Sequence, residues 1–554
     1  MSKRARITAA ILLSTLCYFY FSVSSELYLS SDDVLIAVVT NGLFDSADPF
    51  CQYQHPLLCL IIRGLSILFP SADAFTLIKH IFIFGELALV FYLLTTPLEH
   101  TGRRWNVEHY LILAVAIMAD IYLSMGIKLW QANYTITAGS FAATGIALLL
   151  SGKRYSHPKW CVAGTVYAAM AFMLRRECGL LALPFPALHI AMDMLAASDR
   201  RMELRALIHA ILPTFVVVVL LLGSQALFYS REPYATAQRY NDYRTICVDY
   251  PMKGANSENY PVKADYQAAT NWYFFDTANM TDDTFKAVAE SGSTNRYGLT
   301  VHGVTLAIKE MKDIAFHTDV YMMVGVILVM FLMVVNAVAG GWRRKIEAVL
   351  AVSGAFIILL YFTIRGRAPL RVWQPVMLAT LVVEALVYID GWRAKTANYL
   401  CMLAVAVLLY FSAGQVIAHT SFHAPVTALT ARSGADESKY EQTFDGIYIW
   451  SSWHGTVIRQ FANQNKLPTQ RFLEHNIAAG DWTYGQPYYN DYLERIGAAN
   501  PATALLEGRA YVMSNSDIIE NYLQEYYGED IRLAPTGIVI NETEAYRVER
   551  GSEP

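Results

Sequence analysis

The chain has 554 residues, of which 55% are hydrophobic and only 16% are charged. This composition is too apolar for an ordinary soluble protein and indicates a protein with several membrane-spanning segments. The formal net charge of −4 is small for this length, so the composition provides no basic footprint and argues against nucleic acid as a partner. The seven cysteines form no CxxC motif and no cluster with histidine, which argues against a zinc site.

Apolar runs long enough to cross a membrane as helices recur through the first three quarters of the chain. A spanning helix needs about 20 apolar residues. The first run follows a basic N-terminus and precedes many others, so we interpret it as an uncleaved helix rather than a signal peptide. About eleven spans are predicted, at residues 7–25, 74–96, 107–128, 132–151, 158–174, 179–197, 207–229, 319–338, 346–364, 371–390 and 397–418.

Two long polar regions lie outside these runs. Residues 231–318 are polar and aromatic, and we expect them to form a large outer loop. Residues 421–554 lack a long apolar run and are rich in charge, Gly, Asn and Pro, which favours a small soluble α/β domain. We therefore divide the chain into a transmembrane module, 1–420, with a first outer loop at 27–73, and a C-terminal domain.

The orientation of the spans follows from the distribution of lysine and arginine in the short loops. These residues collect at the N-terminus and in the loops near 103, 153, 200, 343 and 393, which predicts that this side is cytoplasmic. The apolar segment 55–70 is short for a span, and counting it would invert every later loop. We expect it to lie along the outer face as a juxtamembrane helix or a re-entrant hairpin, on the same side as the large loop and the C-terminal domain.

Two arginine groups lie at the predicted outer ends of spans and so break the charge pattern. They belong to "RRE" and "RGRAPLR" and comprise Arg175, Arg176, Arg365, Arg367 and Arg371. Outer arginines can contact lipid headgroups, pair with nearby acids or bind an anionic ligand. The sequence alone leaves these alternatives open.

The stretch "YLSSDDVLIAVVTNGLFDSADPFCQYQHPLL" is unusually rich in ionisable residues for a segment beside a span. An acidic pair before an apolar run is typical of a helix N-terminus, where the helix dipole favours anions. A carboxylate against apolar walls can also act as a general base, and two neighbouring carboxylates can hold a divalent cation such as Mg²⁺ or Mn²⁺. The stretch contains Asp32, Asp33, Asp45, Asp48 and His55.

The pattern "DDVLIAVVTNG" followed by "HPLLCLIIRGLSILFP" resembles the first extracytoplasmic loop of the GT-C glycosyltransferases. That superfamily includes protein O-mannosyltransferases, the aminoarabinose transferases of lipid A and the arabinosyltransferases of mycobacterial walls. The resemblance implies a GT-C-like helical module, a polyprenyl-phosphate sugar donor and an acidic catalytic base, Asp33 or Asp32. His55 stands where several members have a lysine before proline.

The chain is also similar to a group of bacterial multi-span envelope proteins, in pieces such as "QANYTITAGSFAATG" and "MLRRECGLLALPF". This similarity covers most of residues 1–390. It implies a multi-pass protein of the bacterial cytoplasmic (inner) membrane, and the distribution of lysine and arginine predicts a cytoplasmic N-terminus and a C-terminal domain outside. The partners implied by the GT-C resemblance are a polyprenyl-phosphate-linked sugar, an envelope glycan or glycolipid acceptor, and membrane lipids.

The leading hypothesis is an inverting membrane glycosyltransferase. In it the aspartate of the first loop removes the acceptor proton, and the five outer arginines bind the donor phosphate, because arginine forks match phosphate oxygens. His55, Asp45, Asp48 and Trp272 are the candidate substrate-binding residues. Cys51 and Cys247 are both predicted outside, where a disulfide between them would tie the first loop to the large loop; free buried thiols are the alternative.

Two other classes of function remain open from the sequence. A transporter, flippase or polymerase of envelope polysaccharide should carry ionisable residues within its spans. The candidates are Glu86, Asp120, Asp193 and Glu384, although hydrogen bonding between helices explains them equally well. The other class is a non-catalytic scaffold for a synthesis complex.

Overall fold

A computed structural model describes a mainly helical chain with a small sheet near the C-terminus. The predicted spans 107–128 and 397–418, most of 7–25, and Asp120 lie outside the described residues. The described residues are 31–94, 133–250, 262–291, 296–390 and 437–551, without 319, 452, 465 and 515–516, together with Tyr260 and scattered positions between 4 and 15.

The helices before residue 230 fall on the predicted apolar runs and on the first outer loop, and the helix that follows them begins the predicted large outer loop. They are α1 (Ser31–Asn41), α2 (Pro56–Leu68), α3 (Ala74–Leu94), α4 (Tyr134–Arg154), α5 (Pro158–Leu174), α6 (Arg176–Ala182), α7 (Pro184–Ala196), α8 (Arg200–Tyr229) and α9 (Tyr234–Asp249).

The region predicted as a large outer loop is mostly helical, and further apolar helices follow it. The helices are α10 (Lys263–Thr270), α11 (Asp282–Glu290), α12 (Val301–Asp313), α13 (Val320–Ala339), α14 (Trp342–Ile364) and α15 (Leu370–Asp390).

The apolar helices make this a multi-pass membrane protein by length and composition. The predicted runs at 74–96, 158–174 and 319–338 are also helical, as α3, α5 and α13. The total of eleven spans and the orientation stay predictions. In the part of the chain that the structure describes, five segments are long and apolar enough to cross a membrane: Tyr134–Arg154, Arg176–Ala196, Arg200–Tyr229, Trp342–Ile364 and Leu370–Val387.

Helix α4 lies at the centre of the bundle, and its apolar window is buried along its whole length. A Cβ atom on Gly145 would lie 3.0 Å from the backbone nitrogen of Ala168 in α5. A Cβ atom on Gly139 would lie 2.7 Å from the ring of Pro375 in α15. These glycines therefore let the helices approach closely, as small residues do in membrane bundles, and this packing fixes the N-terminus of α4.

The segment 55–70 forms the predicted helix, α2. One face of this helix buries Leu58 and Ile62, whereas Leu60 and Leu68 on the other face are exposed. An exposed apolar face suits a helix that lies against lipid, and its place at the outer surface stays a prediction.

The C-terminal region contains the mixed sheet expected of a small α/β domain. The strand order is β2-β1-β3-β5-β4, with β1 parallel to β2 and β3, and β5 antiparallel to β3 and β4. The strands are β1 (Ile447–Trp450), β2 (Asn476–Ala478), β3 (Ala510–Met513), β4 (Ile531–Ile540) and β5 (Thr543–Arg550), and short helices connect them: α16 (Arg459–Gln464), α17 (Gln470–His475), α18 (Pro487–Arg495), α19 (Pro501–Leu506) and α20 (Asp517–Tyr527).

Asp276, between α10 and α11, joins the helical module to the C-terminal domain. Its buried carboxylate accepts hydrogen bonds from Asn500 Nδ2 at 3.0 Å, Tyr522 OH at 3.2 Å and Tyr527 OH at 2.9 Å. Several hydrogen bonds to one buried carboxylate satisfy its charge and hold the two parts in register. The loop that follows β2 contacts the first loop separately, through the hydrogen bond from Gln486 Nε2 to Gln52 Oε1 at 2.7 Å, and it forms one wall of the site described next.

Candidate functional site

A polar cavity of about 200 Å³ lies where the first loop, α4, α9 and the C-terminal domain meet. Its walls come from segments far apart in sequence, and most of the residues carry charge, an amide or an aromatic ring. We refer to it as the arginine cavity. It is lined by Asp32, Gln52, Tyr53, Tyr134, Arg175, Arg176, Glu177, Gln238, Asn241, Asp242, Arg244, Thr245, Asp249, Trp272, Arg367, Arg371 and Trp482.

Asp32 brings a carboxylate into this cavity from the first turn of α1. Its Oδ1 accepts a hydrogen bond from Trp482 Nε1 at 3.1 Å, and its Oδ2 lies 3.5 Å from Arg371 Nη1. The side chain of Asp32 keeps 24% of its surface exposed. The carboxylate is thus held on two sides and still open to a ligand, which is the arrangement that a general base requires.

Asp33 points to the other side of α1, away from the cavity. Its side chain is fully buried, and its Oδ1 lies 3.1 Å from the buried ammonium of Lys79. The same oxygen accepts from the backbone nitrogen of Tyr134 at 2.9 Å, and Oδ2 lies 3.3 Å from Asn133 Nδ2. Asp33 therefore caps the N-terminus of α4 from outside the helix, by accepting from a free backbone N–H where the helix dipole favours an anion. We call Asp33, Lys79, Asn133 and the Tyr134 nitrogen the Asp33 knot.

Arg175 forms a second wall at the break between α5 and α6. Met173 O accepts from the backbone nitrogen of His55 at 2.8 Å, so a terminal carbonyl of α5 is satisfied by the first loop. Arg175 itself is in extended conformation. Its guanidinium lies over the ring of Tyr53 at 4.7 Å and donates to Tyr134 OH at 2.9 Å. The aromatic rings therefore fix this cation at the edge of the cavity.

Glu177 contributes the carboxylate next to this wall. It lies 3.0 Å from both Arg175 Nε and Arg176 Nε, with Arg176 more exposed than Arg175. One carboxylate is thus shared between two guanidiniums, and the pair keeps a net positive charge toward the cavity.

A third wall comes from α9 and from the loop after α14. Arg244 lies over the ring of Trp272 at 5.0 Å, and Arg367 Nη2 pairs with Asp249 Oδ2 at 2.9 Å. Arg365, the remaining predicted arginine, lies over Tyr250 at 5.5 Å and does not line the cavity.

The cavity carries a net positive charge. Five arginines and four carboxylates line it, which leaves one unit of positive charge if all are ionised. Burial raises the pKa of the Tyr53 hydroxyl above its ordinary value, so this group stays protonated and can donate a hydrogen bond. Guanidiniums and hydroxyl donors together suit an oxyanion such as a phosphate.

Three of the predicted substrate-binding residues lie elsewhere. His55 caps α2, because its Nδ1 accepts from the Leu57 nitrogen at 3.1 Å, and burial lowers the pKa of the His55 imidazole. Asp45 is exposed and lies 3.4 Å from Arg495.

Asp48 also belongs to the packing of the first loop. It accepts from the Phe50 nitrogen and from Tyr234 OH, both at 2.9 Å, and burial raises the pKa of its carboxyl. Trp272, the fourth predicted substrate residue, does line the cavity. Loop capping and turn formation therefore account for the acids and histidine that follow α1.

Arg244 and Trp482 are among the cavity residues that were absent from the sequence-based site. Arg244 stands in "RYNDYRTICVDYP", where tyrosines alternate with charged residues, and Trp482 stands in "GDWTYGQPYYNDYLERIG". Both stretches combine many aromatic residues with several charged ones. That combination was a usable signal, but the distance of 450 positions between Trp482 and Asp32 hid their contact.

The predicted disulfide between Cys51 and Cys247 is wrong. Both cysteines are buried free thiols. Cys247 Sγ lies 3.6 Å from Phe285 O in the contact of α9 with α11, whereas Cys51 lies near Cys59 of α2. The first loop is instead tied to the rest by hydrogen bonds, such as the one from Gln486 Nε2 to Gln52 Oε1 at 2.7 Å.

The acids within the apolar helices make interhelical contacts. Glu86 accepts from Thr144 at 2.6 Å, Glu384 accepts from Asn336 Nδ2 at 2.7 Å, and Asp193 lies 2.7 Å from Lys153 Nζ. Each contact joins two helices, as expected for polar residues that stabilise a membrane bundle. These three acids therefore have a packing role that does not require transport.

Among the residues that the structure describes, no three or more His, Cys, Asp or Glu side chains group closely enough to hold a metal ion. The predicted Mg²⁺ or Mn²⁺ thus has no candidate site in those ranges.

No family model matches the chain, and no curated protein matches it. Solved structures of an oligosaccharyltransferase from Archaeoglobus fulgidus resemble it at 12% sequence identity. The match to the apo form covers 92% of this chain and 70% of the oligosaccharyltransferase chain, with a TM-score of 0.43. The match to the oligosaccharyltransferase AglB in complex with an inhibitory peptide and a dolichol-phosphate covers 92% of this chain and 69% of that chain, with a TM-score of 0.41. The enzyme tethered to an acceptor peptide covers 99% and 74%, with a TM-score of 0.43. The likeness is distant and concerns overall form.

Proposed function

We propose that this protein is a membrane glycosyltransferase. It transfers a sugar from a polyprenyl-phosphate donor to a glycan or glycolipid of the cell envelope, with inversion at the anomeric carbon. The observation that carries the proposal is the open carboxylate of Asp32 in an arginine-lined cavity beside the apolar helices. A base and a set of phosphate-binding cations are the two elements that this transfer needs.

In the proposed reaction the acceptor hydroxyl attacks the anomeric carbon, and Asp32 takes its proton. A carbon–oxygen bond to the acceptor forms as the bond to the phosphate oxygen breaks, and polyprenyl phosphate leaves. Trp482 and Arg371 orient the carboxylate through contacts at 3.1 Å and 3.5 Å. Held in this way, the base needs little reorganisation when the proton moves.

Arg175, Arg176 and Arg367 are proposed to bind the phosphate as its negative charge grows. Arg175 is held by Tyr53 and Tyr134, so its fork is already oriented before the donor arrives. Arg371 is 37% exposed, and its contact with Asp32 is long, at 3.5 Å. Its guanidinium can therefore also turn toward a phosphate. Preorganised cations stabilise a developing charge more than mobile ones.

The position of the cavity supports a lipid-borne donor. Tyr134 begins α4, and Arg371 lies in the first turn of α15, so two candidate spans start at the cavity. A phosphate bound there would lie at the end of the apolar bundle, where the prenyl chain of the donor can remain against apolar helices. The outer face of the membrane is the proposed side, in line with the distribution of lysine and arginine.

The test is the envelope glycan composition of a strain that lacks this protein. The strain is complemented with wild type, Asp32→Asn or Asp283→Asn, a matched change at an exposed aspartate of α11, and membrane abundance is measured for each. We expect loss of one sugar in the deletion, its return with wild type and Asp283→Asn, and no return with Asp32→Asn. An unchanged glycan in the deletion strain, or full rescue by Asp32→Asn, would overturn the proposal.

A further inference from the structure

Arg244 differs from the other arginines of the cavity because its side chain is almost completely buried. Only 2% of it is exposed. Its guanidinium lies over Trp272, and Nη2 donates to Asn241 Oδ1 at 2.7 Å and to Tyr53 OH at 3.2 Å. A ring face and several neutral acceptors therefore hold this cation in one orientation.

The charge of Arg244 is poorly compensated by the protein. The carboxylate of Asp249 lies 4.0 Å from Nη2, whereas the same carboxylate is 2.9 Å from Arg367. Within the described residues, every hydrogen bond of the guanidinium comes from Nη2, and the buried Nε has no acceptor. A buried cation with unused donors costs free energy unless an anion completes it. Among the described residues, Arg244 therefore keeps donor capacity that no acceptor fills.

Tyr53 separates Arg244 from the proposed phosphate site. The guanidinium of Arg175 lies over the face of the Tyr53 ring at 4.7 Å, whereas Arg244 bonds the hydroxyl at the far end of the same ring. Arg244 also comes from α9, and Arg175 from the break between α5 and α6. The two cations thus belong to different walls and can bind two different anionic groups of one ligand.

We propose that Arg244 binds a second negatively charged group of the substrate, separate from the phosphate bound on the Arg175 side. The proposal rests on the glycosyltransferase function proposed above. The shared chemistry is an oxyanion that accepts two hydrogen bonds from a guanidinium fork. It has two possible sources: the carboxylate of a hexuronic acid, or the second phosphate of a diphosphate-linked donor.

The test measures the affinity of the full chain in lipid nanodiscs for three synthetic donors. They are a polyprenyl-phosphate hexose, the matching polyprenyl-phosphate hexuronic acid and the polyprenyl-diphosphate hexose, titrated by tryptophan fluorescence. We expect one of the two dianionic head groups to bind at least about tenfold tighter than the neutral-sugar monophosphate, as one bidentate charged contact would give. The donor with the higher affinity identifies the source of the second anion.

Variants link the preference to the residue. Arg244→Gln is expected to remove the preference, so that the three donors bind with similar affinity, and Arg244→Lys to keep part of the preference, because lysine retains the charge without the fork. Arg239→Gln, at a half-exposed arginine of the same helix, is the matched control and should behave as wild type.

Three outcomes would overturn this assignment. Equal binding of all three donors by wild type would show that no second anion is recognised. An equal loss for all three donors in Arg244→Lys, with the fold intact by thermal unfolding, would mean that Arg244 is only structural or binds the first phosphate. Failure of wild type to bind any of the donors would instead remove the proposed function on which the inference rests.

Discussion

Asp32 and Asp33 are neighbours in sequence and lie in very different surroundings. Asp32 opens into the arginine cavity, with 24% of its side chain exposed, whereas Asp33 is fully buried in the Asp33 knot against Lys79. The side chains of consecutive helix residues point about 100° apart, so one turn of α1 can face both the arginine cavity and the Asp33 knot. In the knot the charges are matched at close range and hidden from ligands. In the cavity the positive charge exceeds the negative, and groups such as Asp32 and Arg371 remain accessible.

This contrast separates a charge that holds the fold from a charge that is available to a substrate. Removal of the first should cost stability, because it breaks a buried ion pair on one side. Removal of the second should cost activity with little change in stability. The two aspartates thus form a matched pair. The same substitution, Asp to Asn, is expected to lower the stability at Asp33 and the activity at Asp32.

The largest expected effect is on the rate with Asp32→Asn. An asparagine cannot take the acceptor proton, so we expect the turnover rate to fall by about 10²-fold to 10⁴-fold, the usual contribution of a general base. The measurement is the initial rate of sugar transfer by purified protein in liposomes, at saturating donor. The unfolding temperature should stay close to that of wild type, since the carboxylate is partly exposed.

Asp283→Asn is the control for this experiment, and it should retain the wild-type rate. A rate for Asp32→Asn within about threefold of wild type would remove Asp32 from the role of base, because loss of a general base costs far more.

The next effect is on stability with Asp33→Asn. Lys79 is buried and would lose the carboxylate that lies 3.1 Å from its ammonium, and breaking a buried ion pair on one side costs about 3–5 kcal/mol. We expect a clear drop in unfolding temperature and membrane abundance, with near-normal activity for each folded molecule. A normally stable Asp33→Asn protein that has lost its activity would exchange the roles of the two aspartates.

The double variant Asp33→Asn with Lys79→Met sharpens the same test. It removes both charges, so no buried ion is left alone, and it should recover about half or more of the lost stability. The measurement is the unfolding temperature of the two single variants and the double variant under identical conditions. If the double variant is as unstable as the sum of the single variants, the ion pair is not the cause.

The helical architecture could be read from the sequence, and so could the position of the acidic pair. Long apolar runs specify helices such as α8 and α15, because a segment in lipid must satisfy its own backbone hydrogen bonds and a helix does so. The acidic pair before "VLIAVV" specifies a helix N-terminus, and α1 does begin at Ser31. Which of the two aspartates faces the cavity depends on how α1 is rotated against α4, and that rotation is set by packing with Lys79 and Asn133.

The residues that complete the cavity could not be assigned in the same way. Arg244 and Trp482 reach the cavity from segments about 200 and 450 positions beyond Asp32, and their convergence depends on contacts such as those of Asp276 with the C-terminal domain. Local patterns carry no information on such contacts. The same limit explains why His55 and Asp48, which look functional beside a span, prove to cap a helix and a turn.

A smaller effect is expected from Arg371→Gln. Arg371 lies 3.5 Å from Asp32 and lines the cavity, but it is 37% exposed, so water screens part of its charge. We expect the KM for the donor to rise by about tenfold, since a charged contact to phosphate is lost. Steady-state kinetics over a range of donor concentrations measures this rise. An unchanged KM would exclude Arg371 from donor binding, and Arg239→Gln serves as the control.

The smallest effect is expected from Trp482→Phe, which tests whether the C-terminal domain takes part in orienting the base. Phenylalanine keeps a ring in the wall but cannot donate to Asp32 Oδ1, now 3.1 Å from the indole nitrogen. A hydrogen bond to a charged group contributes about 1.5–3 kcal/mol when buried, and the exposure of Asp32 reduces this, so we expect a fall of about threefold to tenfold in turnover rate. Trp342→Phe, at an exposed tryptophan that begins α14, should have no effect. A wild-type rate in Trp482→Phe would mean that Asp32 is oriented by Arg371 alone, and that the C-terminal domain covers the cavity without contributing to its chemistry.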